Sequence, residues 1–284
     1  MKILKYFLQF LFVIILFLIF KIIGLKYSSK LSGNIFSFLG PFFRSNKICY
    51  KNLIFAFPDL NERERQKILK NMWLNYGKIF SEYLFINKLK TADNLIIRNQ
   101  EMLEKIKKRK EPVIFISGHF NNFELMAMHL ERSGIDVAAI YRPLNNIFLN
   151  PIMEYIRKKY ICKKQIKKGI SGTKEILKEY KNGTSIALMI DQRVSEGIKS
   201  NFFGHEAFTT TIPAQFVKKF GCKIVPVYIE RKNSLDFKIT FSRPISFGKD
   251  ETTEKITDDL NYLLEKMILR NPGQWIWSHN RWKL

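Results

Sequence analysis

The chain has 284 residues, 46% of them hydrophobic, with 48 Lys and Arg against 25 Asp and Glu, so its formal net charge is +23. That length supports one sizeable buried core with an appendage and argues against two independent globular domains. The charge calls for a polyanionic partner, such as nucleic acid, an anionic membrane surface or phosphorylated substrates, or else it reflects a composition biased towards Lys, Ile and Asn. Cys49, Cys162 and Cys222 are far apart and show no metal-ligand or C-x-x-C spacing. Neither a disulfide framework nor a zinc site is indicated, which fits a reducing cytosol.

The N-terminus narrows the choice of partner. From Tyr6 to Phe20 only Gln9 is polar, and the apolar character continues past Lys21 through Ile22, Ile23 and Leu25. That is about the ~20 residues a helix needs to cross a bilayer, with Lys21 placed to snorkel. A cleaved signal peptide competes, because Lys2 and Lys5 form a basic leader. However, the following "GLKYSSKLSG" carries lysines and no A-x-A-like site, so residues 1–28 read as an uncleaved membrane anchor and 29–284 as the main domain. Lys26, Lys30, Arg44, Lys47 and Lys51 outnumber the basic residues before the apolar run, which orients the main domain to the cytoplasm. A basic body held there meets anionic headgroups, each Lys or Arg near the surface contributing about 1 kcal/mol.

Residues 31–60 mix apolar and aromatic residues in interfacial or short helical segments. From residue 61 the spacing of Ile68, Leu69, Met72, Trp73, Tyr76, Ile79 and Phe80 is helical. After the charged run "EKIKKRKEP" the pattern alternates: strand 113–116, helix 122–132, strand 136–141, helices 146–159 and 172–180, and strand 185–190 ending at "DQR". A helix opens around Pro213, where the missing NH is harmless. "KIVPVYIE" and "DFKITFS" follow as strands, and 251–269 as an amphipathic helix. The fold class is α/β, one domain behind an anchor.

Within "SGHFNNFE", residues 117–124, His119 and Glu124 stand five positions apart just beyond a buried strand. Open α/β sheets place ligands at the carboxyl ends of their strands. On a continuous helix the two side chains would be about 140° apart. They can meet if His119 lies in the loop and Glu124 in the first helical turn. Glu124 would then accept the imidazole NH and leave the other nitrogen as a general base for a substrate hydroxyl. Alternatively, Asn121 and Glu124 form something close to a capping box, and the glutamate merely favours the helix dipole.

The same stretch matches the H-x-x-x-x-D/E signature of glycerolipid and lipid A acyltransferases. "AIYRPLNN", "LMIDQR", "NFFGHEAFTTTIPAQFVKKFGCKIVPVYIE" and "NPGQWIWSHNRWK" follow in the order seen in the bacterial lipid A biosynthesis acyltransferases. The chain resembles that family from its anchor to its end.

The resemblance implies an acyltransferase-type domain with a central mixed sheet flanked by helices. It also implies transfer of an acyl chain from an acyl carrier protein thioester to a hydroxyl of a membrane-bound lipid A precursor, on the inner membrane and without a metal or other cofactor. His119 would be the base and Glu124 its orienting partner. No Cys or Ser stands in a nucleophile-elbow context, so no covalent enzyme intermediate is expected.

Arg142 follows a strand, as His119 does, and suits a phosphate; a surface salt bridge is its plainer role. Asp191 and Gln192 are assigned by resemblance to substrate binding or site support, against turn capping for Asp191. "FFGHEAFTT" reads as a loop over the site whose Phe202 and Phe203 line an acyl channel or simply pack. His129 reads as a packed or surface residue, and His205 and His279 as structural residues near the membrane or as substrate contacts. The basic clusters at 105–110 and 157–168 would meet lipid phosphates and the acidic carrier protein, or are solvated helix faces. The rivals are an acyltransferase for another lysophospholipid or glycolipid and a membrane-anchored basic binder. Nucleic acid is not expected as a partner, because the aromatics form no stacking pattern.

Overall fold

The computed structural model describes residues 1–43, 45–90 and 95–283. Arg44, one of the residues used above to orient the domain, lies outside them. Helix α1 (Lys2–Leu39) bends at Gly24, whose φ of 78° and ψ of 169° lie outside the helical region. The bend lies within residues 1–28, the segment read as the anchor. Beyond it, Ser28, Ser29, Ser32 and Gly33 are buried because small side chains let the second arm of α1 approach helix α3 (Glu62–Glu82) closely. The Ser32 hydroxyl donates to the Gly77 carbonyl at 2.6 Å, and a Cβ at Gly77 would lie 2.4 Å from the Ser32 carbonyl oxygen. Between these helices lies α2 (Ser45–Ala56). A capping box between Asn61 and Glu64 starts α3, and α4 (Ile86–Lys90) follows it.

The α/β region runs β1 (Leu95–Arg98), α5 (Gln100–Arg109), β2 (Ile114–Ser117), α6 (Glu124–Arg132), β3 (Val137–Tyr141) and α7 (Leu149–Ile156). A π-helical turn (Arg157–Ile161) extends α7 into β4 (Lys164–Lys167), which is followed by α8 (Ile170–Lys181) and β5 (Ser185–Met189). The hairpin β6 (Ile198–Phe202) and β7 (His205–Thr209) precedes α9 (Ile212–Phe220), β8 (Ile224–Arg231), β9 (Phe237–Phe241) and α10 (Thr253–Arg270). Seven strands form one sheet in the order β1-β9-β8-β2-β5-β3-β4. Strands β8, β2, β5, β3 and β4 are mutually parallel, and β9 pairs antiparallel with β8, so the sheet is mixed as expected.

Several elements went unread in the sequence, among them strands β1, β4, β6 and β7 and helix α5. Strand β1 is short, with alternating exposure. Strand β4 lies in "KQIK", where only Ile166 is buried; lysines on an edge strand look like a solvated helix face and also block edge pairing. The supposed loop "FFGHEAFTT" is largely the β6–β7 hairpin.

Candidate active site

Parallel pairing builds the site. Ser117 of β2 is in register with Met189 of β5, and the chain reaches His119 and Asp191 two residues beyond each. Neighbouring strands therefore deliver both side chains to one sheet edge. The Ser117 hydroxyl secures the end of β2 by donating to the Val227 carbonyl at 2.7 Å.

His119 Nδ1 lies 2.7 Å from Asp191 Oδ1, and the His119 backbone NH donates to Oδ2 at 2.7 Å. The Trp275 indole donates to the same Oδ2 at 2.8 Å. The Asp191 side chain is 2% exposed and that of His119 19%. Burial alone would raise the Asp191 pKa, but the imidazole and these donors outweigh it and bring it down to about 2. An ionised carboxylate can only accept, so Nδ1 carries the proton. Nε2 is then the basic nitrogen, with the Gln192 amide nitrogen 3.4 Å away and the Phe123 ring packed edge-on at 4.7 Å between centroids.

Among the described residues, Asp191 is the carboxylate bonded to the imidazole, the contact the sequence reading had given to Glu124. Glu124 opens α6 and its Oε1 accepts from Arg157 Nε (2.8 Å), Arg157 Nη2 (2.7 Å) and the Tyr83 hydroxyl (2.5 Å). That ion pair is largely buried. Glu124 keeps the Arg157 guanidinium charged despite its burial, and burial first, then Glu124, pushes the Tyr83 phenol well above its usual range.

No capping box forms at α6 either. Asn121 adopts a left-handed conformation, φ 46°, and its amide donates to the Gln274 side chain while its NH donates to the Gln274 carbonyl at 2.9 Å. The Asn122 amide reaches Glu82, 3.0 Å away. Glu82 is in turn held by Arg231 at 2.7 and 3.0 Å and by Ser29 at 3.1 Å, all buried. The motif loop is thus tied to α1, α3, β8 and the C-terminal segment at once.

Arg142 and Lys168 each follow the register mates Tyr141 and Lys167 at the ends of β3 and β4. The Lys168 NH donates to the Tyr141 carbonyl at 2.8 Å. Partial burial and then the Arg142 charge lower the Lys168 pKa, while Glu196 and Asp191 oppose them. Four adjacent parallel strands therefore bring His119, Asp191, Gln192, Arg142 and Lys168 to one edge.

The sequence reading missed Trp275 and understated "WSHNRW". Burial pushes the His279 pKa down to about 4, with Asp191 opposing and His119, Arg281 and Lys168 adding to it, so His279 shares the electrostatic field of the site. Arg281 is fully buried, donating to the Phe208 carbonyl (2.6 Å) and Thr209 Oγ1 (2.7 Å) and lying over the Phe202 ring. Phe202 is itself fully buried between Trp275 and Trp282 and lines no open channel. Phe203 stands at the hairpin turn against Phe57. His205 packs on Phe55, and His129 is buried within α6 beside Ser133. No signal short of the fold itself could have joined a tryptophan at 275 to an aspartate at 191.

A family model described as bacterial lipid A biosynthesis acyltransferase matches residues 1–284. The chain is 24% identical over 251 residues to the lipid A biosynthesis lauroyltransferase of Escherichia coli (strain K12), covering 84% of this chain and 79% of that protein. The palmitoleoyltransferase of the same strain is 24% identical over 249 residues, covering 84% and 79%. A lipid A biosynthesis acyltransferase of Haemophilus influenzae (strain ATCC 51907 / DSM 11121 / KW20 / Rd) is 25% identical over 262 residues, covering 88% and 81%.

Proposed function

This chain belongs to the bacterial lipid A biosynthesis acyltransferase family and is an acyltransferase; from that premise we propose that it moves a fatty acyl chain from an acyl carrier protein thioester to a hydroxyl of a membrane-bound lipid A precursor, with His119 as general base. The observation that carries the mechanism is the Nδ1–Asp191 contact of 2.7 Å, which fixes the tautomer and leaves Nε2 basic at the sheet edge. The acceptor hydroxyl gives its proton to Nε2 as its oxygen attacks the thioester carbonyl. Asp191 stabilises the imidazolium that forms, as a buried aspartate does in a catalytic triad. The tetrahedral intermediate collapses, the C–S bond breaks, and the leaving thiolate takes the proton back. A base of this kind contributes ~10²- to 10⁴-fold in rate.

Glu124 acts at one remove, fixing Arg157 and Tyr83 beneath the motif loop. Arg142, with Lys168 beside it, suits a phosphate of the acceptor or of the carrier's prosthetic arm. The protein works at the bacterial inner membrane with its domain on the cytoplasmic side. In support, α1 is long and apolar enough to cross a membrane by length and composition.

The test offers labelled carrier-protein thioesters to membranes containing the wild type or His119→Ala, with lipid A precursor and lysophospholipid as competing acceptors. Labelling of the precursor that is lost in the variant is expected. Labelling of lysophospholipid alone would move the substrate, and full activity in His119→Ala would overturn the mechanism.

A further inference from the structure

We propose that the first arm of α1 does not project through the bilayer but lies in the plane of one leaflet, forming with the β3–α7 loop a single membrane-facing surface beside the mouth of the site. The inference rests on the membrane attachment argued above and goes beyond it by stating the geometry. Residues Tyr6, Phe10, Val13 and Phe17 are half-buried and Phe20 is buried, at spacings of 4, 3, 4 and 3 that define one helix face. Leu4, Leu8, Leu11, Ile15, Leu18 and Ile22 are exposed and repeat on the opposite face. A helix projecting away from the body would be bare all round, so this one lies along it.

Contacts at both ends of the arm agree. Near the bend, Phe17 and Phe20 pack on Phe80 of α3, with ring centroids 5.3 and 6.5 Å apart. At the far end, Phe7 and Phe10 pack on Phe148 at 5.5 and 5.9 Å. There the Asn146 amide also donates to the Tyr6 carbonyl at 2.9 Å. At 1.5 Å per residue, Tyr6 and Phe20 are about 21 Å apart along the axis. If that axis ran along the membrane normal, Asn146 would be carried into the far half of the bilayer, and exposed Arg142, at most about 14 Å of chain away, would still lie within the hydrocarbon. A charge held there is strongly disfavoured. Laid in the plane, the arm imposes no such cost.

The surface continues into the loop and α7. Leu144, Ile147, Ile152 and Tyr155 are exposed, and no residue of α7 is buried although most of its residues are hydrophobic. Lys2, Lys5, Lys21 and Lys26 border the arm, and Lys158, Lys159 and Lys163 follow α7, all exposed. An apolar face edged by lysines fits a bilayer of anionic lipid: water disfavours the exposed apolar residues, and a neutral apolar partner leaves the lysines without counter-charges.

Depth measurement on the full chain tests this. The three native cysteines are buried, so single cysteines introduced as Leu4→Cys, Leu11→Cys, Leu18→Cys, Ile147→Cys and, on α5, Glu104→Cys would carry an environment-sensitive dye selectively. Circular dichroism checks that each variant folds. In phosphatidylethanolamine–phosphatidylglycerol vesicles with quenchers at graded depths, the first four labels should blue-shift and share one shallow depth, while the label at 104 stays aqueous. A label at 11 that reaches the midplane with 4 and 18 near opposite faces, or an aqueous label at 147, would overturn the in-plane arrangement. Failure of the protein to float with the vesicles would overturn membrane attachment as well, and the His119-dependent transfer assay would be unaffected by either result.

Discussion

Glu124 and Asp191 are both buried carboxylates near the motif loop, and they differ in what holds them. Glu124 faces Arg157, a cation that never gives up its proton. Asp191 faces an imidazole, which can take up and release a proton during a reaction. The first pair therefore suits a strut and the second a proton-transfer device. The five-residue signature draws the eye to the glutamate, yet the partner of the histidine comes from the neighbouring strand. Sequence proximity and chemical partnership part company because parallel strands align residues 72 apart.

The largest expected effect breaks the His119–Asp191 pair. Asp191→Asn should lower kcat by ~10²- to 10⁴-fold with KM little changed, measured by single-acceptor kinetics. The strut should fail differently. Glu124→Gln strands the Arg157 charge and should cost about 3 kcal/mol of stability, read by chemical denaturation. If instead Glu124→Gln leaves stability intact and removes kcat as Asp191→Asn does, the division of roles is wrong.

Acid should separate the groups next. His129 and His279 have folded pKa values of about 4, lowered mainly by burial. Each prefers its charged form when unfolded, so the stability it contributes is complete above about pH 6.5 and is lost as pH falls towards 4. Discounted for partial exposure, that is about 2 kcal/mol apiece. Asp191, also depressed, adds stability present above about pH 4 and lost as pH falls through about 2. Urea midpoints across this range should therefore fall in two steps, and His129→Gln should shrink only the first. The smallest effect is Trp275→Phe, which deletes one donor to Asp191 and should cost about 1–2 kcal/mol, seen as a modest loss of both Tm and kcat.

Much of the fold was legible because its buried strands are continuous apolar runs. Residues 113–116 and 185–190 announced β2 and β5 within a residue or two, and Pro213 marked the start of α9. Strand β4 was hidden because its stability comes from pairing with β3 and not from its own lysine-rich composition. In the site, His119 and Asp191 were both named, but their bond was not, since spacing along the chain carries no information about strand order. The C-terminal tryptophans were given no role until their donors met Asp191 and Pro272.

The path of the chain through the site also sets an order of events during synthesis. The apolar arm of α1 leaves the ribosome before any residue of the site, while Gln274 and Trp275, which brace Asn121 and Asp191, emerge after all of them. A nascent chain can thus engage lipid while His119 and Asp191 are still unbraced. Acyl transfer would switch on only once the enzyme had already been delivered to the place where its acceptor resides.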